Sequence, residues 1–310
     1  MTPIASDIVL LLLGAVGILV PLTILGEIVA TRSPGPVVET YRTRVHSWWA
    51  MVILFALALL LGRTGILLLF AFASFAALRE FLTLSTKVKA DHLALALAFF
   101  AVLPLQFLFI GLGWTGLFAV FIPVYAFLLL PMVTVLRGDK NRFLIRVAET
   151  QWGLMICVYC ASHVPALMTL EIDGYTDRSV LLIAFLILVV QLGDLLDFYF
   201  GRKFGRHKIA PRLSPKTWEG MVLGVASAAV IGGAFAWLTP FGIVGAAAMA
   251  ALASATGMFG SLVLTAIKRD KGVHDWSHLI PGQGGFLDQL DSVLFAAPIF
   301  YHVAHLIWVA

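Results

Sequence analysis

Residues 179–200 read SVLLIAFLILVVQLGDLLDFYF and decide the fold, because this run is almost wholly apolar apart from Gln191 and two aspartates near its end. A transmembrane α-helix needs roughly 20 mainly apolar residues, and the run is long enough. The whole chain of 310 residues shares this character, since 61% of it is hydrophobic, 12% is charged and the mean hydropathy is +0.98. A water-facing surface does not tolerate such a composition. The sequence therefore predicts an integral membrane protein.

Similar apolar runs recur on both sides of this stretch. The ten candidate spans are residues 4–30, 48–62, 65–84, 92–112, 115–136, 149–170, 179–200, 218–238, 241–267 and 286–309. The breaks between them are polar or rich in Gly and Pro, as connecting loops are. We expect an all-α, polytopic bundle of about nine to ten transmembrane helices. Residues 1–148 would form its N-terminal helices, and residues 149–310 would form the C-terminal helices that carry a polar site.

The distribution of basic residues predicts the orientation of this bundle. If loops alternate sides, all 21 Lys and Arg residues fall on one side except Arg63 and Arg178. Cytoplasmic loops retain basic residues during insertion. We therefore expect a protein of a bacterial inner membrane with its polar site facing the cytoplasm. Arg79 and Glu80, near the inner end of the third span, are interpreted as an interfacial pair.

A few polar side chains lie within or near the spans. Gln106, Gln151 and Gln191 are typical of interhelical hydrogen bonds in membranes. Glu27, at the inner end of the first span, is expected to reach the interface or to pair with Arg32.

The first polar segment follows the quoted span, and residues 193–220 read GDLLDFYFGRKFGRHKIAPRLSPKTWEG. Asp194 and Asp197 are one helical turn apart, so they share a face. Burying carboxylates in lipid costs several kcal/mol without a partner, and two so placed invite a divalent cation. Ser214 is expected to cap the following helix, whose N-terminus beside Lys216 would attract phosphate. The segment predicts a pocket for a polyanion and its metal ion.

The second polar segment, residues 268–292, reads KRDKGVHDWSHLIPGQGGFLDQLDS. Lys268 and Arg269 end the ninth span, where phosphates or lipid headgroups are in reach. The glycines at 282, 284 and 285 can present N–H groups to a phosphate. Asp288 and Asp291 are again one turn apart. They indicate either metal binding or simple compensation of a helix dipole.

Both segments resemble the signature of the CDP-diacylglycerol synthases, the phosphatidate cytidylyltransferases. That family reads approximately S-x2-KR-x4-KD-x2-H-x-x-PGHGGxLDRxDS, and this chain has KR-x4-HD-x2-HLIPGQGGFLDQLDS. The upstream pattern D-x-x-x-Y-x-x-G-K-x-x-G-KHK-x-AP-x-xSPxKTxEG is also matched. Its matching residues are Asp194, Gly201, Gly205, His207, Lys208, Ala210, Pro211, Ser214, Pro215, Lys216, Thr217, Glu219 and Gly220. The resemblance runs from Leu192 to Ser292 with motif order and spacing preserved.

This resemblance implies synthesis of CDP-diacylglycerol from CTP and phosphatidic acid or a related lipid phosphate, with Mg²⁺ as cofactor and pyrophosphate released. The implied catalytic residues are Lys216, Lys268, Arg269 and Asp288. The residues expected to bind substrate are Lys208, Ser214, Pro215, Thr217, His278, Gly282, Gly284 and Gly285. The candidate metal ligands are Asp194, Asp197, Asp288 and Asp291. Membrane lipids are expected partners and nucleic acid is not. The apolar surface leaves room for a homodimer, but nothing in the sequence specifies one.

The chain departs from the family pattern at several site positions. An Asp implicated in metal binding is replaced by Ser261, and the following acidic position is Leu264. The lysine of KD, the histidine of PGHGG and the arginine of LDR are His274, Gln283 and Gln289. Asp197 stands where the family has a small residue and can compensate by moving the metal.

Two functions therefore stay open at this point. The first is a CTP-dependent cytidylyltransferase. The second is a non-catalytic or transport-type membrane protein that binds a lipid or an anion on the same bundle. A transporter would place polar residues and broken helices near the bilayer midplane, whereas the two polar segments lie at helix ends.

Overall fold

A computed structural model describes residues 3–32, 35–175 and 178–309. Within these ranges the regular structure is helical, and the only strand-like pairings are isolated bridges between Lys208 and Thr217 and between Ile280 and Gly284. The ten long helices are α1 (Pro3–Arg32), α2 (Pro36–Leu60), α3 (Gly62–Thr83), α4 (Lys89–Gly111), α5 (Thr115–Val135), α6 (Phe143–Thr169), α7 (Val180–Phe204), α8 (Trp218–Ala234), α9 (Gly242–Asp270) and α10 (Phe286–Trp308). The prediction of an all-α membrane bundle is confirmed.

Among the described residues, nine of these helices are long and apolar enough to cross a membrane. The tenth, α8, has 17 residues, at the lower limit for a span. It ends at Ala234 rather than at residue 238, because a short 3₁₀ turn, Ala236–Leu238, follows it. The second predicted span was too short, since α2 runs for 25 residues and starts at Pro36.

Contacts at the end of the bundle remote from the polar segments show that α8 carries the chain from one end to the other. The Tyr175 hydroxyl, before α7, donates to the carbonyl of Leu238, just after α8. Arg178 donates to Trp237 O at 3.4 Å and pairs with Asp7 near the start of α1. The two polar segments, before α8 and after α9, therefore lie at the same end, which we call the polar end.

The core runs through α3–α7, α9 and α10, and the last three helices show it most clearly. Leu182, Phe185 and Val189 of α7 are fully buried, as are Ala250 of α9 and Phe300 of α10. By contrast, α1 and α2 are mostly exposed, with 6% and 11% of their most apolar windows buried. In a bilayer most of those two helices would face lipid, but α2 also reaches the polar end, where Arg44 and Ser47 donate to the carbonyls of Gly282 and Pro281.

The glutamines within the spans behave as predicted. Gln106 donates to Phe118 O at 3.2 Å and to Ser162 Oγ at 3.1 Å. Gln151 donates to Phe127 O at 2.8 Å, and Gln191 donates to Gln289 O at 3.1 Å. Each bond joins two helices, because an unpaired amide in hydrocarbon is costly.

The interfacial charges near α1 and α3 differ from expectation. Glu27 pairs with Arg42 of α2 at 3.0 Å rather than with Arg32, so it joins α1 to α2. Glu80 is buried and turns away from its neighbour Arg79 to contact the second polar segment. Adjacent residues on a helix point in different directions, which explains why their charges do not meet.

Candidate active site

The first polar segment is organised around the ammonium group of Lys216. Its Nζ donates to Asp194 Oδ1 at 3.3 Å and lies 3.2 Å from Asp197 Oδ2. The two aspartates are one turn apart on α7, so one cation reaches both of them. The predicted shared face of Asp194 and Asp197 is therefore present in the structure.

A third carboxylate, from α10, belongs to the same charge cluster. Asp291 acts electrostatically on both Lys216 and Asp194. It accepts hydrogen bonds from Ser261 Oγ of α9 at 2.8 Å and from its neighbour Ser292 N at 2.7 Å. The residues of the two polar segments, distant in sequence, thus meet at one place; we call Asp194, Asp197, Asp291 and Lys216 the carboxylate cluster.

Charges within the carboxylate cluster do not balance. When its carboxylates are ionised, three negative charges face one ammonium group. Burial lowers the pKa of Lys216, but Asp194, Asp197 and Asp291 raise it by more, so the net shift is upward and the lysine stays charged. Asp197 is 2% exposed, and its Oδ2 has the Lys216 ammonium group, 3.2 Å away, as an ion-pair partner but no well-aligned hydrogen bond from the described part of the chain. The cluster is suited to accept further positive charge.

The backbone before α8 fixes Lys216 at this position. Thr217, not Ser214 as predicted, caps α8, because Thr217 Oγ1 accepts from Gly220 N at 3.2 Å. Ser214 Oγ instead accepts from Lys216 N at 3.3 Å, within the turn. A side chain at Gly220 would force α7 and α8 to shift, since its Cβ would lie 2.7 Å from the backbone oxygen of Asp197. The close approach of α8 to α7 brings Lys216 over the aspartates.

Other predicted residues of the first segment lie further out. Lys208 takes part in the backbone bridge to Thr217, and its side chain is exposed. Pro215 is also exposed. These residues lie at the rim of the polar end, where the exposed lysine is accessible to an anion from solution.

In the second segment, Lys268 of α9 forms an ion pair with Asp288 of α10 at 2.6 Å. Asp288 Oδ2 also accepts from Gly285 N and Trp276 N, both at 2.9 Å. The side chains of Lys268 and Asp288 are 13% and 8% exposed. This pair is therefore balanced in charge and satisfied in its hydrogen bonds.

The remaining predicted residues of the second segment are placed as follows. Arg269 is exposed, donates to Val273 O at 3.2 Å and contacts His274 Nδ1 at 2.7 Å. His278 is exposed. Gly282 and Gly284 have positive φ values of 74° and 88°, so the turn itself favours glycine there.

The N–H groups of this turn are partly occupied within the protein. The N–H group of Gly285 donates to Asp288, and the carbonyl of Gly282 accepts from Arg44 Nε of α2 at 2.9 Å. Phosphate binding by the three glycines stays a prediction.

Sequence reasoning missed Glu80 of α3. Its carboxylate accepts hydrogen bonds from Ser277 Oγ, Phe286 N and Leu287 N, at 2.6, 3.0 and 2.9 Å. The only signal in the sequence was an acidic residue near a span end, which interfacial pairing explained equally well. The contact joins residues about 200 positions apart, and no local pattern could reveal it.

The residues present fit a partly protein-bound magnesium ion. Among the described residues, no three carboxylate, imidazole or thiolate groups form a ready-made metal cage. Mg²⁺ usually keeps several waters and binds through one or two carboxylates together with substrate phosphates. Asp194 and Asp197 supply such a pair, which the Lys216 ammonium group contacts in the structure, and Asp291 adds negative charge nearby.

The fold and the carboxylate cluster define a class: an integral membrane protein whose helical bundle gathers acidic and basic groups at one end. The chain belongs to the cytidylyltransferase family, whose model matches residues 42–307. It is 36% identical over 263 residues to YnbB, an uncharacterized protein of Escherichia coli strain K12, covering 84% of this chain and 85% of that protein.

Relatives with a named activity match a shorter part of the chain. A phosphatidate cytidylyltransferase of Haemophilus influenzae is 33% identical over 147 residues, covering 44% of this chain and 51% of that protein. The chloroplastic phosphatidate cytidylyltransferase 4 of Arabidopsis thaliana is 32% identical over 198 residues, covering 57% and 50%. The chain thus spans about half the length of these enzymes.

Proposed function

We propose that the protein transfers the cytidylyl group of CTP to phosphatidic acid or a related lipid phosphate, with Mg²⁺ as cofactor. The products would be CDP-diacylglycerol, or its analogue, and pyrophosphate. The observation that carries the proposal is the carboxylate cluster, where Lys216 and three carboxylates from both polar segments meet. Family membership and the named activity of several relatives support it.

The reaction needs charge control more than acid–base chemistry. A phosphate oxygen of the lipid attacks the α-phosphorus of CTP, a new P–O bond forms, and the bond to the β-phosphate oxygen breaks as pyrophosphate leaves. A lipid phosphate monoester is largely dianionic near neutral pH and needs no general base. The main obstacle is to bring two anions together, and fixed positive charge lowers it.

Several side chains of this protein are placed to perform that task. Lys216 would contact substrate phosphate while keeping its carboxylate partners, and Lys268 and Arg269 would add positive charge near the second segment. Mg²⁺, when bound, would neutralise phosphate charge. Asp194 and Asp197 would hold it and Asp291 would add negative charge nearby, whereas Asp288 contacts Lys268 in the structure and its metal role stays a prediction.

The location of the cluster favours separate routes for the two substrates. It lies at an end of the bundle rich in Lys and Arg, the side that the positive-inside rule assigns to the cytoplasm. CTP would arrive from the aqueous phase. The lipid would arrive laterally, with its acyl chains still in the bilayer. Lys208 and His278, both exposed at the rim, are candidates for first contact with these anions.

The test is direct. The full-length protein is purified in detergent and incubated with radiolabelled CTP, Mg²⁺ and a panel of lipid phosphates, and labelled liponucleotide is separated from CTP. Product that requires both Mg²⁺ and one of the lipids supports the proposal. A matched variant, Asp197→Asn, should make far less product per folded molecule. If no labelled liponucleotide formed with any of the lipid phosphates, the proposal that the protein is a cytidylyltransferase would be wrong.

One observation favours a second candidate, a protein that binds CTP or a lipid phosphate without turnover. Ser261 replaces a family carboxylate, and its hydroxyl group bonds to Asp291 instead of providing negative charge. Equilibrium binding of labelled CTP separates the two candidates. Saturable binding without product would support the second, and product formation would exclude it.

A further inference from the structure

Glu80 has an unusual environment for a carboxylate near the membrane. It is 5% exposed, and no Lys, Arg or His of the described residues forms an ion pair with it. Instead it accepts three hydrogen bonds: from Ser277 Oγ at 2.6 Å, from Phe286 N at 3.0 Å and from Leu287 N at 2.9 Å. Its charge is therefore stabilised entirely by the second polar segment.

Two of these donors are in the first turn of α10. The first N–H groups of a helix have no partner within the helix, and the dipole makes that end attract negative charge. Glu80 Oε1 takes the N–H of Phe286 and Glu80 Oε2 takes the N–H of Leu287. A side chain of the N-terminal half thus caps the helix that carries the signature aspartates.

The glycine before this helix is explained by the same carboxylate. Gly285 has φ −98°, which any residue can adopt, so the backbone does not require glycine there. A Cβ at Gly285 would nevertheless lie 2.4 Å from Glu80 Oε2. Three hydrogen bonds prevent Glu80 from moving aside without loss. Glycine is therefore needed at 285 because the carboxylate approaches so closely.

We infer that Glu80 is a positioning residue that fixes the start of α10 and, through it, the placement of Asp288 and Asp291. Asp288 lies on the first turn of α10 and holds Lys268 at 2.6 Å. Asp291 lies one turn further and belongs to the carboxylate cluster. The effect of Glu80 on turnover rests on the proposed function, but its effect on the structure of α10 does not.

A double-mutant cycle tests the structural part. Melting temperature in detergent is measured for the wild type, Glu80→Ala, Gly285→Ala and the double variant. We expect each single change to lower the melting temperature. The double variant should melt no lower than the less stable of the two single variants, because both changes disrupt the same cap of α10. Additive losses would overturn the inference. Gly116→Ala, where a Cβ meets nothing within 4 Å, is the control and should melt like the wild type.

Glu80→Gln tests the positioning part with less disruption. The amide keeps one acceptor oxygen but directs an NH₂ group at a backbone N–H. We expect faster amide hydrogen exchange in residues 284–290, and kcat of the folded fraction lower by about tenfold or more, because small misplacements reduce rates strongly. KM for CTP should change less. A variant with wild-type kcat and a lower melting temperature would show that Glu80 only stabilises the fold.

The two parts separate failure of this inference from failure of the proposed function. If the wild type makes no liponucleotide, the proposed function fails, and the melting cycle together with exchange at 284–290 still decides whether Glu80 anchors α10. Unchanged exchange in Glu80→Gln would overturn the inference in either case.

Discussion

The two polar segments contain the same residue types, yet their charges are arranged differently. In the first, Lys216 forms ion pairs with Asp194 and Asp197 and also interacts electrostatically with Asp291, so negative charge is in excess. In the second, Lys268 forms an ion pair with the single carboxylate of Asp288, and that carboxylate accepts two further hydrogen bonds from backbone N–H groups. One segment is short of positive charge and the other is balanced.

This difference separates a site for a cation from a scaffold. A divalent ion, or a substrate that carries one, stabilises an unbalanced cluster because it neutralises the excess negative charge. It stabilises a balanced ion pair much less, because binding would separate the two partners of the pair. We therefore expect changes in the carboxylate cluster to reduce turnover most, and changes around Asp288 to reduce stability first.

The largest effect is expected for Lys216→Met. The change removes the one ammonium group of the carboxylate cluster and leaves three carboxylates facing each other. Turnover should fall about 10²- to 10³-fold, the usual cost of losing one fixed electrostatic contact to the transition state. The measurement is the initial rate of labelled liponucleotide formation by the folded fraction.

Lys203→Met is the matched control for this prediction. Lys203 is exposed at the same end of α7, and its ammonium group lies over the aromatic rings of Tyr199 and Phe204. Its removal should leave the rate nearly unchanged. If Lys216→Met turned over as fast as Lys203→Met, the carboxylate cluster would not be the centre of the reaction.

A smaller effect is expected for Asp288→Asn. The amide oxygen still accepts from Gly285 or Trp276, but the charge that holds Lys268 is lost. We expect a loss of about 1–3 kcal/mol in stability, as for a buried group left without its partner. The Mg²⁺ concentration for half-maximal rate should stay near the wild-type value. A marked rise in that concentration would instead make Asp288 a metal ligand, as its sequence pattern suggested.

The fold was largely predictable because hydropathy is a local property. Runs such as residues 179–200 can be recognised without any knowledge of their neighbours, and a bilayer leaves only helices as an answer for them. The pairing of Asp194 with Asp197 followed from helical periodicity in the same way. Helix ends were less certain, as α2 and α8 show, because caps and short turns depend on contacts with other segments.

The charge partners were not predictable to the same degree. Lys216 and Lys268 were both assigned to phosphate, but nothing in the sequence showed that one would face three carboxylates and the other a single one. Glu80 illustrates the limit most clearly, since its partners lie about 200 residues away. Arg146, counted among the orientation signals, is buried against Asp91 at 3.1 Å.

A modest effect is expected for Ser261→Asp. The new carboxylate would lie beside Asp291, which now accepts the Ser261 hydroxyl group at 2.8 Å. Like charges should lower the melting temperature in EDTA, and Mg²⁺ should restore it. At a Mg²⁺ concentration a few times its dissociation constant, the free energy of unfolding would rise by about 1 kcal/mol. Ser261→Asn, with no added charge, is the control and should gain less stability from Mg²⁺ than Ser261→Asp does. If Mg²⁺ raised the melting temperature of both variants equally, position 261 would not belong to the metal site.

The smallest effect is expected in the pH dependence of stability, and it concerns Lys216 again. Burial lowers the pKa of this lysine, but its three carboxylate neighbours raise it above the ordinary value of 10.5. A group with a raised pKa in the folded state contributes stability that is complete below the unfolded value and is lost as pH rises through the folded value. The contribution should therefore be constant from neutral pH to about 10.5 and decline above it.

Melting temperature against pH checks this expectation, with Lys216→Arg as the comparison. Because a guanidinium group keeps its charge at higher pH, that variant should retain stability where the wild type begins to lose it. All other lysines are shared by the two proteins, so the difference between their curves belongs to position 216. Coinciding curves above pH 10.5 would mean that the ammonium group of Lys216 does not hold the cluster together. The contrast between the unbalanced and the balanced segment would then lose its physical basis.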